Sequence, residues 1–362
     1  MAKTAIIVLA AAAGVVLLFG GEIAEGFEIT EFPVSTDSAD QRQPDISGNV
    51  VVWVDTRPGE TDIYGKNLSS NGEFPVGQST ASLSHNIAID GDVVVWTDSR
   101  NQGPENSNDF DFYGYNISTN SEFVVWADGI QRPGIDVVGD LVVGVEYGGD
   151  SSYDIYGYDL SSQTRFPIST ASGYQYQPVT NGDIVIWEDA RTAQNVWDIY
   201  GFDLSTQSEF PICIVNESQQ SPAIHGNIVV WTDWRRRIKP ANEDVYGYDF
   251  NTNTEFLIST TDANPEFPAI SGNIVVWADN RNGNDDYYGE GNWDIYGYDL
   301  TTNTEFPICT APGFQGEPAI SGNIVVWADN RNGNYDIYGA TIPEPTSLIL
   351  LGLGAVIFIR RK

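Results

Sequence analysis

Seven copies of one segment run through this chain, and a repeat of that length admits very few folds. The clearest copy reads Pro318-Ala319-Ile320-Ser321-Gly322-Asn323-Ile324-Val325-Val326-Trp327-Ala328-Asp329-Asn330-Arg331. It recurs around Trp53, Trp96, Trp187, Trp231 and Trp277, with a degenerate copy around Gly144, at spacings of 43 to 50 residues. After each comes a second block, Asp-Ile-Tyr-Gly or a close variant, whose glycines run from Gly65 to Gly339. A third block such as Glu305-Phe306-Pro307-Ile308 follows in the first six copies. Each copy therefore holds four strand-sized pieces rich in β-branched and aromatic residues and bounded by Gly, Asn, Ser and Thr. Proline in the fourth piece cannot donate to a ladder, which suits an outer edge. Four strands per repeat of this length is the blade pattern of a propeller.

Closure fixes the architecture. The seventh copy stops after Asp336-Ile337-Tyr338-Gly339, and its missing fourth strand stands alone near the start as Glu31-Phe32-Pro33-Val34-Ser35. The expected fold is all-β: a seven-bladed β-propeller of four-stranded blades whose ring is closed by the N-terminal strand joining blade seven. A signal helix and a C-terminal apolar helix lie outside it.

The ends carry targeting information. Met1-Ala2-Lys3 precedes an apolar run from Ala5 to Phe19 and then small residues, which reads as a signal peptide over residues 1–26. An uncleaved anchor is the alternative, against which the shortness of the run weighs. The other end reads Pro343-Glu344-Pro345, an apolar segment from Leu348 to Ile359, then Arg360-Arg361-Lys362. Positive charge after an apolar segment holds that end on the cytoplasmic side during export. This order resembles the PEP-CTERM sorting tail of Gram-negative and related bacteria. The resemblance implies an exosortase-type processing enzyme as partner and a link to polysaccharide matrix. A plain membrane anchor is the alternative for this segment. The expected domains are thus 1–26, 27–342 and 343–362. The expected location is the cell envelope, surface or extracellular matrix, with the C-terminal segment in a membrane at least transiently.

The repeats also resemble the TolB-like propeller family. The stretch Asp329-Asn330-Arg331-Asn332-Gly333-Asn334-Tyr335-Asp336-Ile337-Tyr338 carries the likeness, as do Asp55-Thr56-Arg57 and Asp62-Ile63-Tyr64. The turn after the first strand departs from it, with Ser-Gly-Asn where that family has Ser-Pro-Asp-Gly. Functions in the family are diverse, so the likeness implies fold far more than activity.

A net charge of −33 argues against nucleic acid and anionic lipid as partners, since both would be repelled. The membrane is expected to be met only through the terminal segments, and the propeller to be monomeric. Only Cys213 and Cys309 occur, at equivalent repeat positions, which predicts buried free thiols rather than a disulfide framework.

Six of seventeen basic residues fall at one repeat position: Arg57, Arg100, Arg191, Arg235, Arg281 and Arg331. They read as blade staples, each guanidinium forking onto the Asp that opens the third strand and stacking on an aromatic ring. The same turn looks faintly like a calcium loop, but a cation at its third position opposes a metal. No cofactor is implied. Calcium is left to the third copy, Glu146-Tyr147-Gly148-Gly149-Asp150 with Asp154, and to the acidic insertions Asn108-Asp109-Phe110-Asp111 and Asn284-Asp285-Asp286.

Catalytic motifs are missing from the sequence. Two histidines, His85 and His225, cannot form the metal-binding histidine cluster of TolB-like pectate-lyase propellers, and no Gly-x-Ser-x-Gly elbow occurs. The loops joining strands two to three and four to one vary between copies and share one face. Aromatic residues gather there: Phe110, Tyr153, Trp197, Trp293 and Tyr335 from one loop set, Tyr174 and Phe314 from the other. Aromatic rings amid Asn, Gln and carboxylates suit sugar rings. The expectation is a non-catalytic binding or scaffold protein for polysaccharide or protein partners. The alternatives are an extracellular carbohydrate-active enzyme using carboxylates near the channel, and a purely structural surface component.

Overall fold

The computed structural model describes residues 29–57, 62–78, 83–101, 110–148, 152–193, 196–235, 243–260, 263–283 and 291–343. The signal segment, the sorting residues Glu344, Pro345, Arg360, Arg361 and Lys362, Asn108 and Asp109 of the first acidic insertion, and the whole of the second lie outside them. Glu31–Ile342 forms one compact unit.

Every described regular element is a strand. Four-stranded antiparallel sheets follow one another along the chain, each in the simple order one-two-three-four from the innermost strand. In blade one these are Gln41–Ser47, Val50–Asp55, Asp62–Asn67 and Gly72–Gln78. Blade seven takes its fourth strand from the other end of the chain, Thr30–Ser35 lying beside Asp336–Thr341. Blades two and three share a strand: Ser121–Val138 is the outer strand of one and the inner strand of the next, merging the two sheets into seven strands.

Local chemistry explains why the repeat holds this shape. The second strand buries Val and Trp completely, as at Val51, Val52 and Trp53. The glycine of Asp-Ile-Tyr-Gly is needed because the outer-strand phenylalanine lies across it: a Cβ on Gly65 would come within 2.7 Å of Phe74. Phe32 covers Gly339 in the same way, so the N-terminal strand completes blade seven as a true fourth strand. In blades one, two, three and seven the glycine N–H of the first turn is bonded to the blade before it. Ser47 Oγ accepts the Gly91 N–H at 2.9 Å, Asp90 Oδ2 that of Gly139 at 2.8 Å, and Ser321 Oγ that of Gly48 at 2.9 Å. The last of these runs from blade seven to blade one and ties the ring shut.

The degenerate third copy is compensated by its neighbour. Gly144 replaces the buried tryptophan, and Phe112 and Trp126 of blade two fill that space, their rings edge to face at 4.5 Å. Trp126 stands where other outer strands carry Ser, Cys or Gly, a position that faces the next blade's tryptophan. At the equivalent Gly77, a Cβ would meet Trp96 at 2.8 Å.

Candidate functional site

Each arginine at the end of the second strand sits in a four-part clasp. Arg331 pairs with Asp329 at 2.5 Å and with Glu31 at 2.8 Å, and lies 4.3 Å above the Tyr338 ring. Trp327 Nε1 donates to the same Asp329 Oδ2 at 3.0 Å and the Arg331 N–H to Oδ1 at 2.9 Å, so a fully buried carboxylate has both oxygens engaged. Arg57, Arg100, Arg191, Arg235 and Arg281 repeat this with Asp55, Asp98, Asp189, Asp233 and Asp279. The partner is therefore the Asp two residues earlier, not the Asp opening the third strand. Asp-x-Arg brings both side chains to one side of an extended strand end, a signal that the sequence reading passed over. The third-strand Asp is served by a different donor: Asn101, Asn282 and Asn332 each place Nδ2 2.8 Å from Asp111, Asp294 and Asp336.

Blade three inverts the clasp. Glu146 takes the place of Asp, and the cation comes from the outer strand, where Arg165 pairs with Glu146 at 2.8 Å. Gly149 stands in the sequence where blades two, six and seven carry the Asn donor, and among the described residues Asp154 Oδ1 is buried without a hydrogen-bond partner. Burial raises the Asp154 carboxyl above its ordinary range. Asp150, the other acid of that loop read for calcium, lies outside the described residues.

The aromatic residues of the variable face form two groups. Tyr153 opens the third strand of blade three (Tyr153–Asp159) and donates its N–H to Gly173 O at 3.3 Å. Gly173 has a φ of +108°, which turns the chain so that Tyr174 bridges Tyr153 and accepts the Ala190 N–H at 2.9 Å. Four further contacts extend the group: Tyr153 to Tyr174 at 5.0 Å, Tyr153 to Tyr176 at 4.9 Å, Tyr176 to Trp197 at 5.5 Å and Tyr147 to Tyr153 at 5.9 Å. Tyr174 is 39% exposed while the rings behind it are half-buried. Tyr147 was not singled out from sequence; the signal was its place beside the missing Arg.

The second group repeats the loop geometry, with Gly313 at φ +105° and Phe314 bridged to Trp293. Trp293 to Phe314 is 6.1 Å and Phe314 to Tyr335 5.7 Å. Here the rings are covered. Trp293 is only 5% exposed, and the Arg42 guanidinium lies 3.4 Å over Tyr335. Phe110 opens the third strand of blade two, half-buried.

Carboxylates on the inner strands are the other residues that sequence reasoning passed over. Asp45 and Asp136 share one repeat position, where other blades carry Ala88, Val179, Ala223, Ala269 and Ala319. Asp45 accepts the N–H of Ile46 at 2.8 Å and of Ile89, in the next blade, at 2.9 Å. Asp136 does the same with Val137 at 2.9 Å and Thr180 at 2.8 Å. Glu188 accepts the Ser221 N–H across the next blade boundary at 2.6 Å. Burial at the centre of the ring raises Asp45 to about 6 and Asp136 to about 7, and their mutual repulsion adds to the rise in Asp136. Burial likewise raises Glu188 to about 7. Among the described residues, no three His, Cys, Asp or Glu side chains are grouped to hold a metal ion. Cys213 and Cys309 are free and buried, and burial pushes the Cys309 thiol up to about 12.

Comparison with known proteins supports fold and tail separately. Residues 341–362 match the family model described as the PEP-CTERM protein-sorting motif. No curated protein matches the chain in sequence. Among solved structures, an oligogalacturonate lyase from Vibrio parahaemolyticus is similar at TM-score 0.62 and 10% identity, covering 94% of this chain and 98% of that one. The β-propeller domain of the Trilobed protease from Pyrococcus furiosus is similar at TM-score 0.63 and 14% identity, covering 83% and 93%. TolB from Acinetobacter baumannii follows at TM-score 0.52 and 16% identity, covering 72% and 62%. At such identities the likeness is one of fold. The chain is an exported, envelope-anchored seven-bladed β-propeller that carries a PEP-CTERM sorting motif and has TolB-like propellers among its structural neighbours.

Proposed function

We propose that this propeller is a non-catalytic surface module that holds polysaccharide on the aromatic shelf of blades three and four. The observation that carries the reading is Tyr174: 39% exposed, and backed by Tyr153 and Tyr176 in ring contact. A ring presented to solvent and supported from behind offers the flat apolar surface that a sugar's C–H face covers, at little cost in side-chain entropy. The neighbouring Tyr153 and Tyr176 carry hydroxyls that can accept from sugar hydroxyls. The test is a glycan array probed with the full protein in detergent, beside Tyr174→Ala. Saturable binding lost in the variant supports the reading. Binding that survives the substitution, or none at all, removes it in favour of a protein partner or a structural role.

A second reading, a carbohydrate-active enzyme, draws on Asp45 and Asp136. Their raised pKa values would suit proton transfer near neutral pH. Against it, both carboxylates already accept two backbone N–H bonds each. New reducing ends or unsaturated products on incubation with oligosaccharides, abolished by Asp136→Asn, would favour the enzyme.

A further inference from the structure

We infer that a slot between blades three and four, on the face opposite the Tyr174 shelf, binds an extended basic segment of a partner protein. The site begins with a cavity. On the face that carries the one-to-two and three-to-four turns, Leu141, Phe166, Phe202 and Leu204 line an open slot of about 760 Å³. The exposed Asp140 and the half-buried Asp159 stand beside them. That volume lies in the range of clefts that take a ligand.

The next blade boundary shows what closes such a slot. Phe250 of blade five donates its N–H to Asn227 O, as Leu204 of blade four does to Asp183 O, so the two hold one repeat position. Phe250 lies edge to face on Phe210, the outer-strand ring of blade four, at 5.8 Å, and meets Tyr248 at 5.3 Å. Phe166 is the counterpart of Phe210, each paired with the glycine of its own third strand. Leu204 is smaller than Phe250, and Phe202 lacks the hydroxyl of Tyr248, so the space over Phe166 stays open. A smaller slot of about 330 Å³ repeats between blades two and three, lined by Phe123, Tyr158 and Leu160.

Charge singles out the slot after blade three. The positions of Asp140 and Asp159 are both aspartate in blades three and four alone. The first-turn residue is Asn in blades one, five, six and seven, and blade two ends its third strand in Asn116. The slot after blade four is the one that Phe250 occupies. Apolar walls and two carboxylates therefore meet at one open boundary. The Ser161 hydroxyl and the N–H groups of Ser162 and Ser161 hold the Asp159 carboxyl below its ordinary range, so it is ionised at neutral pH. Arg165, beside Phe166 in the outer strand, is engaged by Glu146 at 2.8 Å. A polypeptide that buries an apolar side chain in the slot carries its neighbouring residues past Asp140 and Asp159, where Lys or Arg completes the pairing. The net charge of −33 repels acidic segments and a second copy alike.

The test follows the fluorescence anisotropy of a labelled peptide, Gly-Ser-Lys-Leu-Phe-Lys-Ser-Gly, against the full protein in detergent. Two counterparts replace both Lys by Glu, or Leu-Phe by Gly-Gly. The basic apolar peptide should bind saturably, about ten-fold more tightly than either counterpart. Leu204→Phe copies blade five and fills the slot; Asp140→Asn with Asp159→Asn copies Asn49 and Asn67 of blade one. The first should lower affinity about ten-fold and the second about five-fold, while Tyr174→Ala leaves it unchanged. Both variants should keep the parent Tm; if Leu204→Phe does not, the Asn pair decides, and unchanged affinity there overturns the proposal. Absence of binding by the basic peptide, equal binding by its Gly-Gly counterpart, or affinity untouched in a folded Leu204→Phe also overturns it. So does self-association, seen by sedimentation velocity and lost in Leu204→Phe, which assigns the slot to a second copy.

Discussion

Glu31 and Arg331 form an ion pair at 2.8 Å, although one belongs to the first described strand and the other to the seventh repeat. In the other clasped blades the corresponding Glu comes from the same repeat, as Glu73 does for Arg57. The N-terminal strand thus supplies the electrostatic partner as well as the backbone edge that blade seven lacks.

Removing one side of that clasp should separate two costs. Arg331→Ala leaves Asp329 buried with neutral donors, Trp327 Nε1 and the backbone N–H of residue 331, but without its countercharge, and should destabilise by about 3 kcal/mol or more. Glu31→Gln removes a partly exposed partner and should cost about 1 kcal/mol or less. Urea unfolding of the two variants checks the ordering; equal losses would mean that the outer ion pair governs closure.

Blades two and three should tolerate a concerted exchange that they reject singly. Gly144→Trp alone must fail, because even a Cβ there lies 2.6 Å from Phe112 and 3.1 Å from Trp126. Trp126→Ala alone should cost about 3–5 kcal/mol through the cavity it leaves. The triple change Gly144→Trp, Trp126→Ser, Phe112→Ile restores the pattern of the other blades. It should recover most of the stability lost by Gly144→Trp, measured as Tm.

Stability should decline as pH rises through neutrality. Asp45, Asp136 and Glu188 have folded pKa values raised to about 6, 7 and 7, above those of the unfolded chain. Between pH 4 and 7 the folded state therefore holds more protons than the unfolded state. Their contribution is complete below about pH 4 and is lost as pH passes through 6 to 7. Tm should be higher at pH 5 than at pH 8, and the difference should shrink in Asp45→Asn, Asp136→Asn. A Tm that rises over that interval would contradict the assignment.

Tyr174→Ala should divide binding from folding. The side chain is exposed, so unfolding free energy should change by about 0.5 kcal/mol or less. If the shelf holds a glycan, affinity should fall at least ten-fold, the loss expected at an aromatic hot spot. Trp293→Ala should behave in the opposite way, because that ring is 5% exposed and packs inside.

The fold was legible because periodicity reports it redundantly: seven copies each announce the same turns, and the split repeat announces the closure. The aromatic groups were only partly legible. Trp197 and Trp293 occupy equivalent positions and look alike in sequence, yet Trp197 is half-buried and Trp293 buried. Asp45 and Asp136 could have been noticed as acids where sister repeats have alanine or valine. What they do there depends on the next blade's backbone, and side-chain spacing along one strand cannot report that. The Asp partner of the arginines was misassigned for a related reason. Two carboxylates stand near each guanidinium, and in blades two, six and seven an asparagine occupies the one that the arginine leaves.

Closure by the first strand also sets an order of events. Thr30–Ser35 must wait for Asp336–Thr341, the last strand to leave the translocation channel, before its edge is covered. The sorting motif begins at residue 341, so the segment that completes the ring is delivered together with the segment that is sorted. A chain that terminates early keeps an open strand edge and also lacks its address. Completion of the fold and admission to the envelope thus become a single checkpoint on full-length export.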